Sequence, residues 1–155
     1  MLTFVAGDIF EATADALVNP VNTVGVMGKG LAAQFRERFP ANTRLYEAAC
    51  RARMVQLGRM FVTESPVRPG PRWVINFPTK SHWRYPSRLE WITSGLEDLA
   101  AVIEQHRIRS IALPALGAGN GGLDWVQVRA EIERVLSGLE GVEVRIHLPQ
   151  EPVAW

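Results

Sequence analysis

The most informative stretch of this sequence is Leu113-Pro114-Ala115-Leu116-Gly117-Ala118-Gly119-Asn120-Gly121-Gly122-Leu123-Asp124. It continues the apolar run Ile111–Leu116, which is typical of a buried parallel strand, and it leads into the apolar pattern of a helix. Four of the six residues from Gly117 to Gly122 are glycines, so the backbone can adopt positive φ and bring successive N–H groups close to a ligand. Such donors beside a helix N-terminus favour a pyrophosphate site over the alternative, a plain flexible connection.

Three of these glycines also match a dinucleotide-binding fingerprint. Gly117, Gly119 and Gly122 have the spacing G-x-G-x-x-G. A dinucleotide-binding fold begins with that motif and then needs several further strand–helix units. Only one helix and one strand are predicted after Gly122, so the sequence argues against a nicotinamide-dependent oxidoreductase.

A second glycine-rich stretch runs from Asn19-Pro20-Val21-Asn22 through Gly25 to Gly28-Lys29-Gly30. It is not a Walker A loop, because Lys29 is followed by glycine instead of serine or threonine. Two loops suited to phosphate on one domain predict a ligand held from both sides, as a diphosphate would be.

Apolar periodicity predicts the remaining elements. The predicted strands are Leu2–Ala6, Ala14–Pro20, Arg59–Glu64, Arg72–Phe77, Ile111–Leu116 and Val142–Leu148. Helices are predicted around Leu31–Phe39 and Asn42–Met54, after a capping box of Ser87 and Glu90, and after a cap at Asp124 with Gln127. This order predicts an α/β fold with a mostly parallel sheet, helices on both faces and ligands at the carboxyl ends of the strands.

Composition limits the class of protein. The chain has 155 residues, 47% of them hydrophobic and 21% charged, which fits one globular domain. Its net charge of +1 argues against nucleic-acid binding by bulk electrostatics. We expect no membrane span and no secretory leader, because no apolar run approaches the length of a span and Met1-Leu2-Thr3-Phe4-Val5 contains no basic residue. The single cysteine, Cys50, fits a reducing, cytoplasmic location. With three separated histidines, neither a metal site nor another cofactor is predicted.

Together, four stretches of the sequence resemble the macrodomain family: Gly7-Asp8-Ile9, Asn19-Pro20-Val21-Asn22, Gly28-Lys29-Gly30 and Gly117–Gly122. The resemblance covers residues 1–155 and implies a single macrodomain, a three-layer α/β/α fold with a mixed, mostly parallel central sheet. Asn76–Arg84 and Gly122–Trp125 are similar to the DNA ADP-ribosyl glycohydrolase branch, which includes the DarG antitoxins. The terminal ADP-ribose protein glycohydrolases share its lysine and aspartate.

The resemblance implies that the ligand is ADP-ribose. Asp8 would accept from the adenine amino group, with support from the Ile9 backbone, and Asn22 would contact the distal ribose. The other implied ligand-binding residues are Gly28, Lys29, Gly30, Thr79, Gly117, Ala118, Gly119, Asn120, Gly121, Gly122 and Leu123. Taken alone, Asp8 could equally form a turn.

Lys80, Asn22 and Asp124 are the predicted catalytic residues. The resemblance places Lys80 at the anomeric carbon, and partial burial after an apolar strand would lower its pKa and free an amine. A free amine can attack a sugar carbonyl or serve in acid–base chemistry, whereas a solvated surface lysine is the alternative. Asp124 could be an acid–base partner, the N-cap of the last long helix, or both.

The segment after Lys80 interleaves basic and aromatic residues, as sites for single-stranded nucleic acid do. Its predicted DNA-binding residues are His82, Trp83, Arg84, Tyr85 and Arg88. The alternative is that Trp83 and Tyr85 belong to the edge of the core.

The preferred function is hydrolysis of the N-glycosidic bond between ADP-ribose and thymine in single-stranded DNA, which would reverse a DNA-modifying toxin. The alternatives are hydrolysis of ADP-ribosyl esters on protein carboxylates and a non-catalytic reader of ADP-ribose. The resemblance also implies a DarT-like toxin as a partner, engaged through a further domain outside these 155 residues, so the macrodomain could be the N-terminal part of a longer antitoxin. We expect a monomer.

Overall fold

Residues 1–119 and 121–149, the part of the chain that the computed structural model describes, contain a six-stranded sheet. Its strands are β1 Leu2–Val5, β2 Ala16–Asn22, β3 Phe61–Glu64, β4 Trp73–Lys80, β5 Ser110–Leu113 and β6 Glu143–His147. They lie side by side in the order β1-β6-β5-β2-β4-β3. Every neighbouring pair is parallel except β3 and β4, so the predicted mixed, mostly parallel sheet is confirmed.

The helices in the described residues are α1 Gly30–Arg38, α2 Pro40–Arg51, α3 Leu89–Gln105 and α4 Trp125–Leu136. A short 3-10 turn, Ile9–Glu11, lies between β1 and β2. The order of strands and α-helices is the predicted one. None of the helices in this part of the chain is long and apolar enough to cross a membrane.

Alternation along β2 divides the core into two layers. Ala16 and Val18 pack in the cluster that α3 and α4 form with the sheet. Leu17 and Val21 pack on the opposite face, in the cluster that includes α1 and α2. Because successive side chains of a strand point to opposite faces, this central strand contributes to both layers and produces the three-layer α/β/α arrangement.

A buried polar cluster joins β2, β3, β4 and α2. Asn42 and Asn76 exchange two side-chain hydrogen bonds of 3.1 and 2.8 Å. Asn19 donates to Asn76 Oδ1 at 3.1 Å, and Thr63 donates to Asn42 Oδ1 at 2.6 Å. All four side chains are buried, so the cluster fixes these elements relative to one another.

The predicted capping box of Ser87 and Glu90 is wrong. Helix α3 begins at Leu89 with Arg88 as its N-cap residue, and no side-chain hydrogen bond caps it. The Ser87 N–H instead donates to the Gly121 carbonyl at 3.0 Å, so the glycine-rich loop holds Ser87 away from the first turn. Glu90 pairs with Arg88 at 3.5 Å.

The strand bounds differ from the predicted ones by up to three residues, and two of the differences lie beside the cleft. Strand β5 ends at Leu113, before the predicted Leu116, and β4 extends to Lys80, beyond the predicted Phe77. The parallel pairing of β4 with β2 continues to that lysine. Lys80 is therefore the last residue of a central strand and not part of a loop.

Candidate functional site

A cleft of about 750 Å³ opens at the carboxyl ends of β2, β4, β5 and β6, as expected for a parallel sheet. The predicted site residues that line it are Asp8, Ile9, Asn22, Gly28, Lys29, Gly30, Thr79, Lys80, Trp83, Gly117, Gly119 and Gly121. The predicted residues outside this lining are Ala118, Gly122, Leu123, Asp124, His82, Arg84, Tyr85 and Arg88. Asn120 lies outside the described residues. Both glycine-rich stretches thus meet at one cleft.

The loop after β5 is folded tightly on itself. The N–H groups of Ala118, Gly122 and Leu123 donate to carbonyls within the loop at 2.9–3.2 Å, so they brace it and are not offered to a ligand. A Cβ at Gly121 would overlap the Gly117 carbonyl oxygen, so no other residue fits here without a movement of the backbone. Gly117 itself has a φ of 71°, which favours glycine.

The start of α1 forms the opposite wall. Gly28 and Lys29 line the cleft directly before Gly30, the first residue of the helix, which has a φ of 63°. Lys29 is the N-cap residue, and its side chain makes no capping hydrogen bond. A helix N-terminus carries partial positive charge, so this wall suits a phosphate group.

Asn22 lines the cleft, but its side chain is largely engaged with its own loop. Asn22 Oδ1 accepts from the N–H groups of Val24, Gly25 and Val26 at 3.1, 3.1 and 3.3 Å, and its Nδ2 donates to the Val26 carbonyl at 2.8 Å. The Tyr46 hydroxyl lies 3.1 Å from the same Oδ1. Asn22 therefore organises the loop, and its ribose contact and catalytic role remain predictions.

Lys80 lies half-buried at the end of β4, in the wall of the cleft. Its Nζ is 3.5 Å from the carbonyl oxygen of Trp83. Burial, with the nearby positive charge of Lys29, lowers the pKa of the Lys80 amine. This is the direction expected from the sequence, and it increases the fraction of neutral amine near neutral pH.

Asp8 both borders the cleft and caps the 3-10 turn. Its Oδ1 accepts from the Phe10 N–H at 3.0 Å, which confirms the turn-forming role. Thr79, also in the lining, places its hydroxyl 3.5 Å from the Val21 carbonyl. Contacts of Asp8, Ile9 and Thr79 with ADP-ribose stay predictions.

Asp124 is the N-cap of α4. Its Oδ1 accepts from the Val126 N–H at 3.0 Å, so the capping role is confirmed. Because Asp124 does not line the cleft, its second predicted role, in acid–base catalysis, gains no support from the geometry.

The segment after Lys80 is exposed. The side chains of Trp83 and Tyr85 are 42% and 57% exposed, so their assignment to the core edge is wrong. The His82 ring lies 5.1 Å from that of Trp83 and 5.4 Å from that of Tyr85, and the Arg84 guanidinium lies 5.4 Å from the Trp83 ring. Trp83 belongs to both this surface and the cleft.

Tyr46, which supports the cleft loop, and His147, which lines the cleft, are among the residues that were not found from the sequence. Tyr46 reads as an ordinary core residue of α2, and His147 falls on the polar side of the alternation in β6. His147 is only 8% exposed and lies in the cleft wall, with its Nδ1 3.1 Å from the Gly7 carbonyl oxygen. Both positions depend on contacts across the fold, which local periodicity does not report.

The cleft is unlike a metal centre in the described part of the chain. Residues 1–119 and 121–149 contain no group of three or more His, Cys, Asp or Glu side chains that could hold a metal ion. What the cleft offers instead is two glycine-rich backbone stretches, a helix N-terminus and two lysine side chains, Lys29 and Lys80.

The fold, with a cleft that suits phosphate groups, identifies the class of protein. The family model described as Macro domain matches residues 18–132, and the chain belongs to this family.

Within the family, the chain is similar to particular bacterial proteins. It is 54% identical to the DNA ADP-ribosyl glycohydrolase of Thermus aquaticus over 97% of this chain, and 48% identical to that of Mycobacterium tuberculosis over 96%. The chain spans 42% of the length of each of these relatives.

Solved structures give the same result. The macrodomain of Thermus aquaticus DarG matches with a TM-score of 0.92 and 54% identity, covering 96% of this chain and 99% of that one. The DarTG protein of Thermosipho africanus, solved in complex with ADP-ribose, matches with a TM-score of 0.90 and 35% identity, covering 98% of this chain and 42% of that one.

Proposed function

We propose that this chain hydrolyses the N-glycosidic bond between ADP-ribose and thymine in single-stranded DNA. The observation that carries the proposal is the position of Lys80. Its amine has a lowered pKa and lies 3.5 Å from the carbonyl oxygen of Trp83, in the wall of the cleft. The exposed ring of Trp83 belongs to the segment that is predicted to bind DNA. The reactive group is therefore at the junction of a phosphate-suited cleft and a surface suited to nucleic acid.

The relatives support this proposal. Proteins about half identical to this chain are named DNA ADP-ribosyl glycohydrolases, and the similar Thermosipho africanus protein was solved with ADP-ribose. We therefore take ADP-ribose as the ligand of the cleft. The pyrophosphate would lie between the start of α1 and the loop after β5, where backbone donors and the helix dipole face a ligand from two sides.

In the proposed reaction, water is added across the bond between the anomeric carbon and the base. The carbon gains a hydroxyl group and the base nitrogen gains a proton. Lys80 could trap the ring-opened sugar as a Schiff base, later released by water, or it could donate a hydrogen bond to the departing base. Both routes place the amine at the anomeric carbon, and they differ in whether a covalent adduct forms.

We propose that this activity reverses the reaction of a DNA ADP-ribosyltransferase. In Thermosipho africanus a relative is named as a fusion of a DNA ADP-ribosyl transferase with a DNA ADP-ribosyl glycohydrolase, which supports a DarT-like toxin as the functional partner. We propose that the domain acts as a monomer, and in the cytoplasm, since its substrate would be DNA.

The test compares two substrates. Purified protein is incubated with ADP-ribosylated thymidine DNA and with a peptide carrying ADP-ribose on glutamate, and released ADP-ribose is measured. We expect release from the DNA. Release from the peptide alone would indicate an ester hydrolase, and tight binding of ADP-ribose without release from either substrate would indicate a reader.

A further inference from the structure

Thr23, the residue directly after β2, is hydrogen-bonded to the end of β4, the strand that ends in Lys80. Its N–H donates to the Lys80 carbonyl at 3.1 Å. Its hydroxyl donates to the Ser81 carbonyl at 2.7 Å. Thr23 therefore holds the two successive peptide carbonyls that follow the Lys80 side chain, although it does not itself line the cleft.

The pairing of the strands changes at the same place. Strands β2 and β4 pair residue by residue up to Val21 opposite Pro78, and the next pair is Asn22 opposite Lys80. The shift leaves Thr79 as an extra residue in β4, and an irregularity of this kind redirects the side chains that follow it. The direction of the Lys80 side chain thus depends on how the end of β2 is held against β4.

Tyr46, on α2, holds the end of β2 by a hydrogen bond. Its fully buried hydroxyl donates to the Asn22 carbonyl at 2.7 Å. Burial raises the pKa of this hydroxyl far above its ordinary value, so the hydroxyl keeps its proton at every working pH. Hydrogen bonds and one peptide link therefore connect Tyr46 through Asn22 and Thr23 to the backbone of Lys80.

We propose that Thr23 is a positioning residue for the reaction, with Tyr46 as its support: together they hold the Lys80 backbone so that the amine stays in the cleft. This inference rests on the proposed function. Because Thr23 is outside the cleft lining, its loss should disturb the reacting amine and leave the binding of free ADP-ribose intact.

The main test replaces Thr23 by valine, which keeps the shape of the side chain and removes the hydroxyl. With ADP-ribosylated thymidine DNA as substrate, we expect kcat to fall by about 5- to 100-fold, the range between loss of one hydrogen bond and a displacement of about 1 Å. The affinity for free ADP-ribose, measured by calorimetry, should be unchanged. Thr23→Ser restores the hydroxyl and should restore kcat.

Thr93→Val is the matched control. The Thr93 hydroxyl donates to Glu131 at 2.6 Å, between α3 and α4 and outside the cleft lining, so this variant loses a comparable hydrogen bond and should keep kcat. Tyr46→Phe is the second test variant, and we expect it to lower kcat as Thr23→Val does.

A direct readout does not need turnover. The chain has two lysines, Lys29 and Lys80, so isotope-labelled lysine gives two amine signals whose pKa values NMR can follow. If Thr23→Val lets the Lys80 amine move toward solvent, the pKa of this amine rises toward its ordinary value. The limb of the kcat–pH profile that reports the Lys80 amine then moves to higher pH.

The outcomes separate this inference from the proposed function. An active wild type whose Thr23→Val variant keeps its kcat and its Lys80 pKa would overturn the inference alone. So would equal losses in the valine and serine variants, or a loss of ADP-ribose affinity that matches the loss of kcat. A wild type that releases no ADP-ribose from DNA rejects the proposed function, and the NMR measurement then still decides whether Thr23 holds the amine.

Discussion

At the scale of single residues, the proposed chemistry depends on the Lys80 amine. Lys80→Ala should keep ADP-ribose affinity, which rests on the loops, and lower turnover on modified DNA by about 10²–10⁴-fold, as for a positioned acid–base group. Lys80→Arg keeps a cation but cannot form a Schiff base, so its activity distinguishes the hydrogen-bonding route from the covalent one. Near-full turnover in Lys80→Ala would refute the assignment of the catalytic group.

Lys29 is the second residue with a predictable effect, because its charge adds to burial in lowering the pKa of Lys80. Lys29→Gln removes that charge and should raise the pKa of Lys80. The limb of the kcat–pH profile that reports this amine should move to higher pH. Lys29→Arg keeps the charge and serves as the control, and a limb that stays in place or moves to lower pH in Lys29→Gln would contradict the assignment.

At the scale of elements, the loop after β5 is predicted to bind the pyrophosphate. Gly119 is exposed and does not have a positive φ. Among the described residues other than its chain neighbours, no atom lies within 4 Å of the position of a Cβ. Gly119→Glu should therefore fold normally and abolish ADP-ribose binding, since the carboxylate would crowd and repel the phosphates.

Gly138→Glu is the control for this loop variant, because Gly138 is equally open and lies in the turn after α4, outside the cleft lining. Calorimetry with free ADP-ribose compares the two. Equal affinity in Gly119→Glu and wild type would show that the pyrophosphate binds elsewhere.

The exposed segment after β4 is predicted to bind DNA. Replacing both Trp83 and Arg84 by alanine should weaken binding of modified single-stranded DNA and reduce the slope of log K against log salt by about 1, through the lost phosphate contact. Arg109→Ala removes an exposed cation just before β5, at the amino ends of the strands and so far from the cleft. This control should change neither the affinity for DNA nor its salt dependence. If the double variant also leaves affinity, turnover and salt dependence unaltered, the segment has only a structural role.

At the scale of the whole molecule, the buried asparagine cluster links the sheet to α2. Asn42→Ala leaves the Thr63 hydroxyl without its acceptor and removes both bonds to Asn76, so the free energy of unfolding should fall by about 1–3 kcal/mol or more. Urea denaturation measures the change. Gln127→Ala, at an exposed position of α4, should stay within about 0.5 kcal/mol; an equally small effect of Asn42→Ala would show that the cluster is not stabilising.

The order of strands and helices was predictable, because each element carries a local pattern. The run Ile111–Leu116 and the alternation from Val142 to Leu148 are examples: burial on both faces or on one face leaves its period in the sequence. The glycine-rich stretches were predictable for a similar reason, since a backbone that adopts positive φ or approaches another backbone closely requires glycine.

The errors and omissions arose from contacts between distant parts of the chain. Ser87 has the local pattern of a capping residue, but a hydrogen bond from its N–H to Gly121 draws it to another loop. Tyr46 supports the strand that ends in Asn22 from a helix more than twenty residues away along the chain.

The contact between His147 and Gly7 makes this histidine a spectroscopic reporter. A carbonyl oxygen accepts, so Nδ1 must carry hydrogen, and the neutral imidazole is held in the Nδ1–H tautomer. The chain has three histidines, and the tautomers of a histidine differ in their nitrogen-15 chemical shifts. In protein labelled with nitrogen-15 histidine, the His147 signals therefore report on the Asp8 end of the cleft. Their change on titration with ADP-ribose would follow the occupancy of that end without any mutation.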